Sequence, residues 1–184
     1  MSVLSSVTAA DIVIFLVTFV AMEGVAAAEH RWAMHGFAWG WHRSHHLPPT
    51  GRVDKNDRFP FVFAGLAIAM FLAGTNVDAL RFLVPMAAGI TAYGAVYFLV
   101  HDVYIHGRLG GRHLPRMAPL ERLAEAHALH HRFNAAPYGM LAPVVPADIR
   151  EKVAAGKGAP MDAAALRTRA ANPRSARTSS QGAR

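Results

Sequence analysis

A chain of 184 residues is long enough for one helical bundle with tails but leaves no room for a second catalytic domain. Apolar residues make up 53% of it while the formal net charge is +7, a combination typical of membrane spans joined by basic segments. Cysteine is absent, which excludes disulfides, thiolate metal ligands, iron–sulfur clusters and c-type haem attachment, so any metal must be held by nitrogen or oxygen.

Three apolar segments, at about residues 9–28, 59–77 and 82–100, approach the ~20 residues that a helix needs to cross a bilayer. Apolar runs of this length are poorly explained as strands, so we predict three membrane-spanning helices. Only about residues 75–81 separate the last two, which predicts an antiparallel hairpin. The first residues lack the features of a cleaved signal peptide, so we expect the first segment to remain in the mature protein.

Lysine and arginine predict the orientation of these spans. Five basic residues lie between the first and second segments and thirteen follow the third, which leaves Arg81 alone on the opposite side. The positive-inside rule therefore places residues 29–58 and everything after residue 100 in the cytoplasm, together with all eleven histidines. We expect an all-α integral membrane helical bundle with cytoplasmic histidine-bearing helix extensions, in the cytoplasmic membrane if the source is bacterial. The amino terminus lies outside if the first segment crosses fully, whereas a re-entrant or interfacial segment would move it.

The composition of the chain changes near residue 150. Residues 1–150 are expected to form the membrane domain that carries the function. Residues 151–184 are rich in alanine, arginine, glycine and serine without periodicity, which predicts a basic, disordered tail.

Ten of the eleven histidines form four clusters in the order pair, triplet, pair, triplet. The clusters are His30 and His35; His42, His45 and His46; His101 and His106; and His127, His130 and His131. On an α-helix, positions i, i+3 and i+4 share a face, so each triplet should aim its rings into a single sector. Positions i and i+5 are about 140° apart, so each pair needs a bent helix end or serves different metals.

Ten imidazoles exceed the four ligands of one tetrahedral zinc ion, which makes two metal ions the economical count. Imidazole alone does not choose among iron, zinc and copper. The isolated His113 is expected to be a surface group.

Several other active-site types are excluded by inspection of the sequence. None of the histidines has a glutamate three residues before it, as ferritin-like carboxylate sites require, and there is no HExxH of a zinc protease. The GxSxG of serine hydrolases, the phosphate-binding GxxxxGK and the dinucleotide-binding GxGxxG are also absent. Electrons or nucleotides, if the protein uses them, must come from a partner.

The residues around the clusters resemble the bacterial and plant β-carotene 3-hydroxylases of the fatty-acid hydroxylase superfamily over about residues 20–145. The matching stretches are HRWAMH at 30–35, WHRSHHLP at 41–48, ND at 56–57, TAYG at 91–94, VHD at 100–102 leading to His106, AH at 126–127 leading to His131, and PYG at 137–139. Residues 107–111 look looser than the usual segment, which leaves substrate fit open, and the tail after residue 150 has no counterpart.

The resemblance implies a non-haem di-iron centre that activates dioxygen and hydroxylates C3 of a β-ionone ring, converting β-carotene through β-cryptoxanthin to zeaxanthin. Ketolated relatives of β-carotene would be further substrates. The ten clustered histidines would be the ligands, with no catalytic residue beyond the metal centre. The chemistry agrees, since a saturated ring carbon has neither an acidic proton nor a leaving group, and neutral nitrogen ligands keep a metal site cationic and oxidising.

Metal-bound imidazoles usually donate their second nitrogen to carboxylates or carbonyls. Candidate carboxylates are Asp102, Glu29 and Asp57, followed by Asp54 and Glu125, and Asp102 beside His101 is the best placed. Glu23, at the edge of the first span, is interpreted as an interfacial residue in preference to a functional polar group. Five aromatic residues either line a carotenoid pocket or form an interfacial belt: Tyr93, Tyr97, Trp32, Trp39 and Trp41.

The expected partners are a carotenoid dissolved in the bilayer, membrane lipid and an external electron donor, with no nucleic acid. The basic cytoplasmic surface would suit an acidic carrier such as ferredoxin. Positive-inside topology and anionic lipid explain the same charges without a protein partner.

Two other functions fit the pattern of histidines. The same metal site could act as a hydroxylase, ketolase or desaturase of another lipid. Alternatively, the chain could be a histidine-rich metal transporter or sensor, although a transporter should place ionisable ligands at mid-membrane depth and every histidine here lies outside the apolar segments.

Overall fold

Three long helices capped by shorter ones make up the protein, and no strand occurs in residues 7–47, 53–158 and 161–169, the part of the chain that this computed structural model describes. The α-helices of this part are α1 (Ala9–Glu29), α2 (Trp39–His46), α3 (Arg58–Asn76), α4 (Leu83–Phe98), α5 (Ala118–Phe133), α6 (Ala147–Ala154) and α7 (Ala163–Arg169). Two π-helical segments continue α1 and α4, and they comprise His30–Phe37 and Leu99–Ile105. The all-α prediction is confirmed.

Within the described residues, three helical stretches are long and apolar enough to cross a membrane: Ala9–Phe37, Lys55–Asn76 and Leu83–Ile105. Within the most apolar 18 residues of each, only 6%, 17% and 22% respectively are buried inside the protein. In a soluble protein, a helix surface as apolar as this would be buried in the core. Here the side chains face outward and require lipid around them. The prediction of a three-span membrane bundle is therefore confirmed, and the predicted spans match α1, α3 and α4 closely.

The start of α1 lies beside the turn that joins α3 to α4. Thr8 and Asp11 form a capping box, in which the Asp11 amide donates to Thr8 Oγ1 (3.2 Å) and the Thr8 amide donates to Asp11 Oδ2 (2.9 Å). The same Asp11 oxygen lies 3.4 Å from Arg81 Nη2 in the α3–α4 turn. Since α1 ends at Glu29, next to His30, it runs from the turn end of the bundle to the histidine end and does not fold back.

Helix α4 is the central helix of the bundle, because it packs against both α1 and α3. Glycines allow the close approach on both sides. A Cβ at Gly89 would lie 2.8 Å from the carbonyl oxygen of Phe15, and one at Gly74 would lie 2.9 Å from Val84 Cγ2. Small residues at helix crossings are how membrane helices gain van der Waals contact without a hydrophobic driving force between them.

A compact apolar core lies at the histidine end, where α5 and α7 pack against the second π-helical segment. Its buried members are Val100, Tyr104, Ile105, Ala124, Ala128, Met140, Ala163 and Leu166. Helix α5 is held by this core and has no membrane span of its own. The position of its histidines therefore depends on packing at this end of the bundle.

The expected disorder after residue 150 is wrong for residues 151–158 and 161–169. Helix α6 extends across that boundary, and α7 buries Leu166 to 1% exposure. Ala163, Leu166 and Arg167 are spaced i, i+3 and i+4, so they share one helical face, which is too short to stand out in an alanine-rich sequence. Residues 159–160 and 170–184 lie outside the described part of the chain.

Arg167 fastens α7 to the core. Its Nη2 donates to Glu121 Oε1 (2.7 Å) and its Nε donates to the Tyr104 carbonyl oxygen (3.3 Å), while the Tyr104 hydroxyl donates to the same Glu121 oxygen (2.6 Å). The Arg167 side chain is only 7% exposed. A charge-assisted contact of this kind contributes more than a solvated ion pair.

We expect Arg167→Gln to lower the free energy of unfolding by about 1–3 kcal/mol, because it leaves the Glu121 carboxylate without its cationic partner. The midpoint of thermal unfolding of the purified protein in detergent measures this change. The control is Lys152→Gln, which removes an exposed i,i+4 pair with Asp148 (2.9 Å) and should shift the midpoint far less. Equal midpoints for the two variants would contradict the contribution assigned to α7.

Candidate metal centre

The ten clustered histidines converge at one end of the bundle, where their ring nitrogens form two groups. The first histidine group comprises His30, His35, His42, His46 and His130, whose candidate ligand atoms all lie within 4.8 Å of one another. The same limit encloses His45, His106, His127 and His131, and His101 joins them because its Nε2 lies 3.0 Å from His45 Nε2. These five residues are called the second histidine group.

Each triplet divides its rings between the two groups, so the expectation that a triplet points into a single sector is wrong. On α2, His42 and His46 face the first group while His45 faces the second. On α5, His127 and His131 face the second group while His130 faces the first. Relative to residue i of an α-helix, i+3 and i+4 lie about 60° to one side and about 40° to the other, which is enough to separate neighbouring sites.

The two histidine pairs lie on π-helical backbone or, for His106, directly after it. This backbone type was not predicted from the sequence. In a π-helix, residue i+5 donates its amide to residue i. The His106 amide accordingly donates to the His101 carbonyl oxygen (3.0 Å), and the two rings are 4.7 Å apart. The angle of about 140° holds only for an α-helix, so each pair can serve one group. For the first pair the predicted bend is also present, as a kink at Gly36, the residue after His35. A histidine pair at i, i+5 at the end of a span is the signal that could have indicated this.

The spacing of the Nε2 atoms fits metal coordination. His30 and His42 approach to 3.1 Å, and His127 and His131 approach to 3.0 Å. Metal–imidazole bonds are about 2.1 Å long, so two ligands at a right angle would be about 3.0 Å apart and two tetrahedral ligands about 3.4 Å. The observed separations, together with five ligands in each group, favour a centre of higher coordination number than tetrahedral zinc.

The hydrogen bonds of the Nδ1 atoms, which lie on the side of each ring away from the group, show which way the lone pairs of the Nε2 atoms point. The Nδ1 of His30 lies 3.0 Å from the Tyr138 carbonyl oxygen, and the Nδ1 of His130 lies 2.7 Å from that of Ala135. A carbonyl can only accept, so each Nδ1 carries the proton and each Nε2 presents a lone pair. His42 Nδ1 makes the equivalent contact with Asn56 Oδ1 (2.8 Å). Lone pairs of His30 and His42 facing each other at 3.1 Å would repel, and a cation between them turns repulsion into ligation.

Burial keeps these rings neutral, which is the form that binds metal. It lowers the pKa of His42 to about 4 and that of His46 to about 2. Burial, reinforced by neighbouring imidazoles, also holds the pKa of His45, His127 and His131 well below the ordinary histidine value. The donor set therefore fits one metal ion in each histidine group.

Asp102 supports the second group directly, through a contact of 3.0 Å between its Oδ2 and His101 Nδ1. Arg108 lies behind it and donates to Asp102 Oδ1 (2.7 Å) and to both oxygens of Asp57 (2.6 and 2.9 Å). Asp57 thus contacts the second group only indirectly, by holding Arg108 against Asp102. Arg108 belongs to the looser 107–111 segment and was not among the predicted site residues. Asp54 caps the turn containing Asn56 and so positions the partner of His42.

The remaining candidates lie elsewhere. Glu29 lines a cavity, and no described hydrogen bond joins it to a histidine. Glu125 is exposed on the face of α5 that points away from the histidines, and His113 is exposed as well. Among the aromatic residues, Trp39 packs against the rings of His35 and His46, Tyr93 and Tyr97 line the cavity, and Trp32 and Trp41 are exposed.

Glu23, interpreted from the sequence as an interfacial residue, is a structural hydrogen-bond acceptor within the protein. Its carboxylate accepts the Tyr93 hydroxyl (2.7 Å) and the amides of Met140 (2.8 Å) and Ala142 (3.0 Å), as well as that of Leu141 (3.1 Å). It fastens α1 to α4 and to the loop that follows α5. The same loop supplies the Tyr138 carbonyl that fixes His30, so Glu23 helps to position a candidate ligand.

We expect Glu23→Gln to lower the free energy of unfolding by about 1–3 kcal/mol, because an amide replaces a carboxylate that accepts four hydrogen bonds. Thermal unfolding of the detergent-solubilised protein measures the effect. Glu125→Gln changes an exposed carboxylate in the same way and serves as the control. Unchanged stability in the Glu23 variant would show that the loop is held by other contacts.

An apolar cavity of about 260 Å³ lies between α1, α3 and α4 and ends at the histidines. His42 and His101 form part of its inner wall, one from each group. Apolar side chains dominate the rest of the lining, among them Met22, Phe59, Phe63, Ala67 and Ile90. A long apolar molecule held in the membrane could therefore reach both groups.

A helical membrane bundle with ten histidines gathered at the end of an apolar cavity defines a class of membrane protein with a histidine-rich centre that could hold metal.

The chain is 42% identical over 169 residues to a β-carotene hydroxylase of Pseudescherichia vulneris, covering 88% of this chain and 94% of that protein. For a β-carotene hydroxylase of Pantoea ananas the identity is 41% over 159 residues, covering 82% and 89%. A chloroplastic β-carotene 3-hydroxylase 1 of Arabidopsis thaliana is 38% identical over 128 residues, 66% of this chain and 40% of that one.

The chain belongs to the β-carotene hydroxylase family, which confirms the resemblance drawn from the histidine clusters. No family model matches the sequence. No solved structure matches it either.

Proposed function

We propose that the protein is an O2-dependent β-carotene 3-hydroxylase, which converts β-carotene through β-cryptoxanthin to zeaxanthin at a centre of two iron ions. The observation that carries the proposal is the convergence of two groups of inward-facing ring nitrogens at the end of an apolar cavity within the spans. The names of the bacterial and plant relatives support the choice of substrate.

Each histidine group would hold one ion. Iron, when bound, supplies the oxidising power needed to take hydrogen from a saturated ring carbon. In the balanced reaction, one atom of O2 is inserted into the C3–H bond and the other leaves as water, which consumes two electrons and two protons from an external donor.

The surrounding residues set the geometry for this chemistry. The carbonyls of Tyr138 and Ala135 fix the tautomers of His30 and His130. The Asp102 carboxylate accepts a hydrogen bond from Nδ1–H of His101, which raises the basicity of the Nε2 of the same ring. The apolar cavity excludes water, which limits side reactions at an oxidising centre.

The histidine end is also where the protein would meet its electron donor. Exposed basic residues surround it: Arg31, Arg43, Arg112, Arg116 and Arg122. Under the positive-inside rule these arginines face the cytoplasm, where they would steer an acidic carrier such as ferredoxin and contact anionic lipid headgroups. The proposal therefore places the centre on the cytoplasmic side.

Metal analysis of the purified protein tests the ligand assignment. We expect two irons per chain in the wild type, and loss of iron together with at least a roughly 100-fold loss of hydroxylation in His130→Ala and His45→Ala, which alter the first and second groups respectively. His113→Ala changes an exposed histidine and should retain both ions and full activity. Activity is measured by incubating membranes with β-carotene, ferrous iron and a reducing system, then identifying products by chromatography and mass.

Unchanged β-carotene after this incubation would contradict the proposed substrate, provided that the iron content is intact. Tight zinc without oxygen consumption would instead favour a metal-handling protein. Full activity in the His130 or His45 variant would remove that residue from the ligand set.

A further inference from the structure

The cavity at the histidine centre has a defined size and a glycine in its wall. Gly94 lines the cavity, and a Cβ built on it would meet nothing within 4 Å. The other glycines on α4 and α3 that face a neighbouring helix are tightly packed, as Gly89 and Gly74 show. Helix packing therefore does not account for a glycine at position 94, which lines the cavity where it is open to the outside.

The volume indicates what the cavity can hold. A cavity of about 260 Å³ has room for a substituted six-membered ring. The β-ionone ring of β-carotene, with its three methyl groups, has nine carbon atoms. A whole carotenoid carries a ring at each end of a long polyene and exceeds this cavity, so one ring end would occupy it.

The cavity is open towards the membrane. Ala64 on α3 and Thr91 and Gly94 on α4 belong to its lining and are exposed. They lie within spans, about two to three turns of helix from the histidine end of the bundle. A chain that leaves the cavity here passes directly into lipid.

Resting on the proposed function, we propose that this cavity is the binding site for a single ring end of the carotenoid, and that Gly94 sets the size of the ring that can reach the histidines. The polyene leaves past Ala64 and Thr91 and remains in the bilayer. Each end of a symmetrical carotenoid must then enter in turn, so release or reorientation separates the two hydroxylations.

The experiment compares two leucine substitutions in adjacent parts of the bundle. Gly94→Leu fills the cavity, whereas Gly65→Leu places the same side chain on an exposed part of α3 outside the lining, where a Cβ also meets nothing within 4 Å. Both proteins are reconstituted in lipid nanodiscs. Iron content, β-carotene bound per protein (from its absorbance) and kcat/KM for hydroxylation are then measured.

We expect Gly94→Leu to retain its iron, to lose β-carotene binding, and to lose at least tenfold in kcat/KM, while Gly65→Leu stays within twofold of wild type. Gly94→Ala should reduce kcat/KM more for a ring carrying a C4 oxygen than for the unsubstituted ring, because the larger ring needs the space of the added methyl. If Gly94→Leu does not accumulate in membranes, Ala64→Leu, which fills the mouth of the same cavity, provides the comparison.

Binding and turnover report separately on the two proposals. Wild-type protein that binds β-carotene but forms no hydroxylated product would contradict the proposed function, and loss of binding in Gly94→Leu would still support the ring site. Equal binding and turnover in the Gly94 and Gly65 variants would overturn the ring site while the hydroxylase proposal remained. Failure of the wild-type protein to bind β-carotene would also overturn the ring site.

Discussion

Buried imidazole lone pairs that face one another are the constraint on which this structure depends. Carbonyl acceptors at Tyr138 and Ala135 force the protons of His30 and His130 outward, so their inner nitrogens cannot donate to the neighbouring rings. Burial prevents the rings from relieving this arrangement by taking up protons. A cation between the rings would satisfy the inward nitrogens of His30 and His42, which the protein holds 3.1 Å apart, at ligand spacing.

The fold meets this constraint by changing helix type where the spans end. An α-helix would direct His101 and His106 about 140° apart, and the widened π-helical backbone of Leu99–Ile105 brings both rings to one side. The α-helical triplets do the opposite, since i+3 and i+4 diverge and feed two groups. Two candidate metal positions thus arise because the π-helical segment gathers its histidines and the α-helical triplets separate theirs. The scaffold for both is the three spans found in the described part of the chain.

Apolar length and histidine spacing made the spans, the hairpin and the ten clustered residues predictable, because these depend on local sequence alone. The partition of the rings was not predictable in the same way, since it follows from backbone type, and π-helical segments are rare. The role of Glu23 as an acceptor was not predictable because three of its hydrogen-bond partners lie more than a hundred residues away in the loop after α5. Likewise, α7 lacks a recognisable period, and its order comes from the tertiary contact of Arg167 with Glu121.

Helix α5 shows why such long-range contacts matter for the centre. It does not cross the membrane, yet His130 belongs to the first group and His127 and His131 to the second. A shift of α5 would therefore disturb both histidine groups at once. The Glu23 carboxylate holds the loop after α5 on the spans and Arg167 holds α7 against α5, so each side of the helix has its own charged anchor. Metal binding adds ligation between α5 and the helices of the first half, which links occupancy of the centre to the stability of the whole histidine end.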